Sequence, residues 1–164
     1  MKWRDFISDV YAMRHLAEGI ESKAHFQPPA LTQDLADLEA QLNVTLSSEF
    51  RSLLLEMNGV MSLLKIDDGD WFEDMWLLWP THQIISENLI RRRESAEGIC
   101  DGPFEDLLIF ANAGSDGILF AHPIKDGAAV QAVVAWFPAE IELLPIAPTL
   151  KHFVEGWLNG QILL

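Results

Sequence analysis

Five carboxylates fall within eight residues at Asp67, Asp68, Asp70, Glu73 and Asp74, interleaved with Trp71, Phe72 and Trp76. Calcium loops also concentrate carboxylates, but they need acids at alternating positions before a glycine and a distal Glu. That order is absent here. Aromatic anchors supply most of the energy of protein interfaces, and charges around them steer association. The cluster therefore reads as a docking surface for a basic protein, against the simpler reading of a solvated acidic loop. Alternation sets Trp71, Glu73 and Met75 against Phe72, Asp74 and Trp76, and does not say which rings are buried.

Other candidate chemistry is thin. Gly114-Ser115-Asp116-Gly117 lacks the Gly-x-Ser-x-Gly spacing of a hydrolase elbow and precedes a strand, so it reads as a hairpin turn. The five histidines, His15, His25, His82, His122 and His152, show no zinc spacing. Cys100 has no nearby base, and no Gly-rich phosphate loop occurs. The expectation is no catalytic set, no metal and no cofactor. Arg91-Arg92-Arg93 reads as a solvated helix end suited to the negative pole of the dipole.

The chain has 164 residues, 49% of them hydrophobic, which predicts one folded domain over 1–164. Its net charge of −14 disfavours nucleic acid and anionic membranes and favours basic partners. Segments 1–28 and 81–100 are each neutral, so the excess lies in 29–80 (−8) and 101–164 (−6). One cysteine cannot make an internal disulfide, and no apolar run is long enough to span a bilayer. A cytoplasmic location is expected.

The elements that must position these residues follow from periodicity. Trp3, Phe6, Val10, Met13, Ala17 and Ile20 predict a helix over 3–22, in an N-terminal extension covering 1–28. Pro28-Pro29 breaks the chain. Leu31, Leu35, Leu38 and Leu42 line one helix, which Thr32 is placed to cap. Ser47 is placed to cap a second, with Phe50, Leu53, Leu54 and Met57 as its buried stripe. Asn58-Gly59 then suits a left-handed helix stop. Strands are predicted at 60–66, 75–79, 107–111, 118–122, 130–137 and 140–146, with a turn at 67–70. A helix runs from Thr81 to about residue 94, and a last one follows Pro148-Thr149. Short connections imply antiparallel pairing. The fold class is α+β, a mainly antiparallel sheet of five to six strands packed with helices from both ends of the chain.

Leu38-Glu39, a turn ending at Leu46, the aromatic Phe50, the pair Leu53-Leu54, then Asn58-Gly59, together resemble the opening of the SUKH superfamily. That group contains fungal Smi/Knr regulators of cell-wall assembly and many bacterial immunity proteins. Ser47 stands where the family usually has Pro. Asn43 replaces the usual turn Gly and tolerates the same left-handed backbone. The strands, the glycine turn at 114–117 and the terminal helix extend the resemblance over residues 30–162. It implies a non-enzymatic protein-binding domain that neutralises a toxin by occlusion, the toxin expected to be basic. The fungal branch implies the alternative of a regulatory or scaffold domain. An uncharacterised hydrolase is the third reading. Glu39 matches the family's recurrent Glu and joins the candidate partner-binding residues.

Overall fold

The computed structural model describes residues 2–164. Helix α1 is Trp3–Ala12, with Trp3, Ile7, Val10 and Tyr11 buried. The Glu56 carboxylate accepts from the Trp3 backbone N–H at 2.8 Å, meeting an otherwise unpaired donor of the first turn. The helix expected over 3–22 stops ten residues short. Met13 is 72% exposed, so the apolar spacing beyond Ala12 does not mark a buried face. Gly19 turns the chain at φ 80°, and Ile20–Phe26 is a strand, β1. There Glu21, Lys23 and His25 are exposed while the residues between them are half-buried, a period of two that the helical reading masked.

Helices α2 (Thr32–Leu42) and α3 (Ser48–Glu56) form the expected pair. They bury Leu35, Leu38, Leu42, Phe50, Leu53 and Leu54. Asn43 closes α2 at φ 51°. Ser47 Oγ accepts from the Phe50 N–H at 3.1 Å and caps α3. Thr32 does not cap α2, because it already lies in the first turn. Asp34 instead reaches back to accept from the Leu31 N–H at 2.7 Å. Nor does Asn58-Gly59 stop α3, since Met57 is already extended. Asn58 has a different task, described below.

Strands β2 (Val60–Ile66) and β3 (Phe72–Leu78) join β1 in an antiparallel sheet ordered β1-β2-β3. Helix α4 (Thr81–Ala96) then leads to the second antiparallel sheet. Its strands are β4 (Leu107–Asn112), β5 (Leu119–Lys125), β6 (Ala128–Ala129), β7 (Val133–Phe137) and β8 (Glu142–Ala147). They run β4-β5-β7-β8, with β6 beside β5. Helix α5 (Leu150–Leu158) closes the chain, capped by Thr149. The α+β class holds, but the strands divide into sheets of three and five rather than one sheet of five to six. β1 hid under helical spacing, β6 is two residues long, and a helix separates β3 from β4.

Three polar side chains fasten α4. Asn58 Oδ1 accepts from the Thr81 N–H at 2.8 Å, and Asn58 Nδ2 donates to Thr81 Oγ1 at 3.1 Å. Fully buried Asn88 donates to Ile84 O (2.7 Å) and Ile109 O (2.8 Å) and accepts from the Ile109 N–H (2.9 Å). Arg92 donates to the carbonyls of Leu42 (2.8 Å), Phe104 (3.1 Å) and Leu107 (3.2 Å). The arginine run is therefore not simply a solvated helix end, because its middle member is a strut.

The core between the second sheet and the helices holds Phe50, Phe110, Phe120 and Phe153 at 0% exposure. His122 lies among them, its ring 5.3 Å from Phe50 and 4.8 Å from Phe110. Its Nδ1 lies 2.9 Å from Ala132 O, which makes Nδ1–H the donor, and Nε2 has no partner among the described residues. Burial pushes its pKa down from 6.5 to about 4, with the Ala132 hydrogen bond opposing. The folded state thus holds the neutral ring. Below pH 6.5 the unfolded chain binds the proton preferentially, and stability falls until the folded ring itself titrates near pH 4. The shift corresponds to about 3 kcal/mol at 1.36 kcal/mol per pH unit. Urea denaturation of wild type and His122→Gln is expected to show this loss between pH 6.5 and 4 in wild type only. Parallel pH profiles for the two proteins would refute it.

Candidate protein-binding face

The acidic cluster occupies the end of the β2–β3 hairpin. Asp67 takes the left-handed conformation at φ 49°, and Gly69 N–H donates to Ile66 O at 3.0 Å. The Asp67 N–H donates to Gly19 O at 2.6 Å, which ties the tip to the start of β1. Gly19 sits at φ 80°, which favours glycine, and a Cβ there would also displace the exposed Asp67 carboxylate. The strand expected at 75–79 begins earlier, at Phe72. Asp67, Asp68 and Asp70 therefore lie in the turn, while Glu73 and Asp74 are part of the sheet edge. All five are exposed, and none makes an ion pair among the described residues.

A bulge decides which aromatics share a face. Leu64 faces Phe72 and Leu63 faces Glu73, but Ser62 faces Met75 and Met61 faces Trp76. Asp74 is the extra residue. Leu63 and Met61 point to one side of β2, so Glu73 and Trp76 join them there. Strict alternation would have separated these two. Phe72 and Met75 turn to the other side, where Tyr11 of α1 hydrogen-bonds Ser62 of β2. Trp71, 37% exposed, lies under Lys23, whose Nζ is 4.1 Å from the ring centroid. Lys23 pairs with Leu63 in the ladder, which places it on the Glu73 side. Phe72 is 44% exposed at the tip.

An open cleft of about 500 Å³ continues from this face. Its lining includes Glu73, Trp76, His82, Pro28, Pro29 and Pro80. The Asn58-Gly59 pair shapes it. The Asn58 N–H donates to Pro28 O at 2.8 Å and the Gln27 N–H to Gly59 O at 3.1 Å, which seats the two prolines. The Asn58 side chain holds Thr81, next to Pro80. Gly59 sits at φ 109°, and a Cβ there would lie 3.0 Å from Pro80 N and 3.2 Å from Trp76 Cζ3. The cleft was missed in the sequence because Asn-Gly reads locally as a helix stop. Its role is long-range, between α3, the 27–29 segment and α4.

Glu39 does not join this face. Its Oε2 accepts from the Leu46 N–H at 2.9 Å and its Oε1 pairs with Arg51 at 2.5 Å. Burial alone would raise its pKa, but the hydrogen bonds from Arg51 and Leu46, with the Arg51 charge, outweigh it and hold the carboxyl below 4.5. The pair borders a separate open depression with Asn43, Thr45, Asp126 and Gly127. Backbone bonds from Thr45 N–H to Gly127 O (2.8 Å) and from Ala129 N–H to Thr45 O (2.9 Å) join the α2–α3 turn to the β5–β6 turn.

Gly114–Gly117 forms the turn between β4 and β5, with Gly114, Asp116 and Gly117 all at positive φ. Among the described residues, no three His, Cys, Asp or Glu side chains converge as a metal ion would need. No helix among them is long and apolar enough to cross a membrane.

The model of the SMI1 / KNR4 family (SUKH-1) matches residues 29–156. The chain belongs to this family. The match takes in the α2–α3 pair, the β2–β3 hairpin, α4 and the second sheet, and ends within α5. Of the SUKH domain's candidate face, Lys23 and β1 lie ahead of the match, while Trp71, Glu73 and Trp76 lie inside it. No curated protein matches the chain.

Within this SUKH domain Glu39 has two separable contacts. Glu39→Ala leaves the Leu46 N–H without its acceptor and is expected to lower unfolding stability by about 1–3 kcal/mol. Glu39→Gln keeps an acceptor oxygen and is expected to cost less than half of that. Denaturant midpoints measure both, and equal losses would show that the Arg51 charge pair, not the Leu46 bond, carries the effect.

Proposed function

We propose that this protein is an immunity-type binding protein that neutralises a cognate basic toxin by occlusion, docking it on the β2–β3 hairpin face. Family membership supports a non-catalytic protein-binding domain. The observation that carries the reading further is the hairpin itself. Five carboxylates with no ion pair among the described residues surround Trp71, Phe72 and Trp76, all at least partly accessible. Clustered acids repel one another, and a cationic surface relieves that repulsion as it approaches. Aromatics then supply contact area at little entropic cost. Blocking an active site this way needs only an interface of standard size, about 1,600 Å² in total. A toxin made in the same cell would meet this protein in the cytoplasm.

The direct test is co-purification from the native host at low ionic strength, followed by an activity assay of what stays bound. A single basic partner whose toxicity this protein silences supports immunity. Several unrelated partners, with no activity blocked, would replace it with a regulatory or scaffold role. With the partner in hand, the association rate is expected to fall about tenfold on raising the salt or on combining Asp67→Asn, Asp68→Asn and Asp70→Asn. Stopped-flow rates that ignore both changes would remove the electrostatic part of the proposal.

A further inference from the structure

We infer that the cleft beside Trp76 receives an arginine side chain of the partner, its guanidinium stacked on the indole and paired with Glu73; this deepens, and rests on, the docking role proposed for the hairpin face.

The chain already places cations over rings. Lys23 covers Trp71 at 4.1 Å and Arg4 covers Phe26 at 4.7 Å. Trp71 is thus occupied by its own chain. Trp76 is different. It lines an open cleft, and among the described residues no cation of the chain lies over it. Glu73, brought to the same side by the bulge, lines the same cleft and makes no ion pair among the described residues. An aromatic ring and an unpaired carboxylate lining one cleft satisfy the face and the edge of a planar cation. The ring's negative quadrupole meets its flat side, and the carboxylate takes its edge N–H donors.

The walls favour arginine over other occupants. Pro28, Pro29 and Pro80 have no backbone N–H, so these three offer the Glu73 carboxylate no competing donor. They present apolar surface suited to a methylene stem. The Asn58 side chain borders the cleft but is committed to Thr81. An acidic group would meet Glu73 with no Lys or Arg in the lining to offset it. A lysine would gain a point charge but not the planar stack. Gly59 lets two of the lining residues pack closely against it, since a Cβ there would crowd both Pro80 and Trp76.

The test uses the whole protein and two capped tripeptides, Gly-Arg-Gly and its norleucine analogue, followed by two-dimensional NMR. The arginine peptide is expected to shift the Trp76 indole N–H in a saturable way. Glu73→Gln, an exposed substitution compatible with folding, is expected to weaken that peptide about fivefold to tenfold, as the loss of a charge-assisted hydrogen bond would. The norleucine peptide should bind more weakly than the arginine peptide and ignore the substitution. Equal binding of both peptides, or shifts confined to residues 67–70 with Trp76 unmoved, would overturn the inference. The outcomes separate it from the docking proposal. Arginine binding at Trp76 without any toxin partner sinks only the docking role. A toxin complex indifferent to Glu73→Gln, with no peptide binding at Trp76, sinks only the cleft's assignment.

Discussion

A side-chain amide with no access to water must find partners for both of its ends, and Asn88 meets this by behaving like a piece of backbone. Its oxygen takes the Ile109 N–H and its nitrogen serves the carbonyls of Ile109 and Ile84. The bond is specific in register, because a slip of α4 by one residue would break both contacts to Ile109 and leave the amide oxygen without its donor. It fixes α4 on β4, and α4 lies between the two sheets in chain order. The Asn58–Thr81 pair sets where this helix starts, and Arg92 anchors its last turns to three carbonyls. The candidate cleft inherits its shape from that chain of constraints, since Pro80 leads directly into α4 and forms one of its walls.

Much of this was legible in the sequence where local chemistry and long-range packing agree. Ser47 as a cap, Asn43 as a left-handed residue after α2, and Gly114–Gly117 as a hairpin turn are dictated by residue type, and each occurs. Where the two disagree, periodicity misled. Met13 and Ile20 continue a helical spacing, yet pairing of β1 with β2 prevails from Ile20 onward. The cluster of acids and aromatics was also visible, but its geometry was not. One inserted residue, Asp74, changes which side of the sheet Trp76 faces, and nothing in the composition signals a bulge. Asn58-Gly59 was read for its immediate neighbours when its partners lie more than twenty residues away at Thr81 and Pro80, and in the prolines at 28–29.

Glu39 and the hairpin illustrate two uses of negative charge. Glu39 spends its carboxylate on the protein itself, closing the α2–α3 turn through Leu46 and Arg51. The hairpin acids make no such internal contract, and their charge remains available to the surroundings. Net charge alone would not separate these cases. Hydrogen-bond accounting does, and it is the reason the hairpin rather than the helix-pair turn carries the functional proposal.

Burial along the hairpin falls in one direction. Val60, Met61 and Ser62 are buried at one end of β2 and Ile66 is exposed at the other, and β3 mirrors this from exposed Phe72 to buried Leu78. The hairpin is therefore rooted in the core and progressively released from it toward the tip. Local opening free energy follows burial, so the tip can open and reclose while the root stays shut. Under the docking role proposed above, such a graded compliance would let the outer residues adapt to a curved partner surface, while the Trp76 end, nearer the root, would keep its shape.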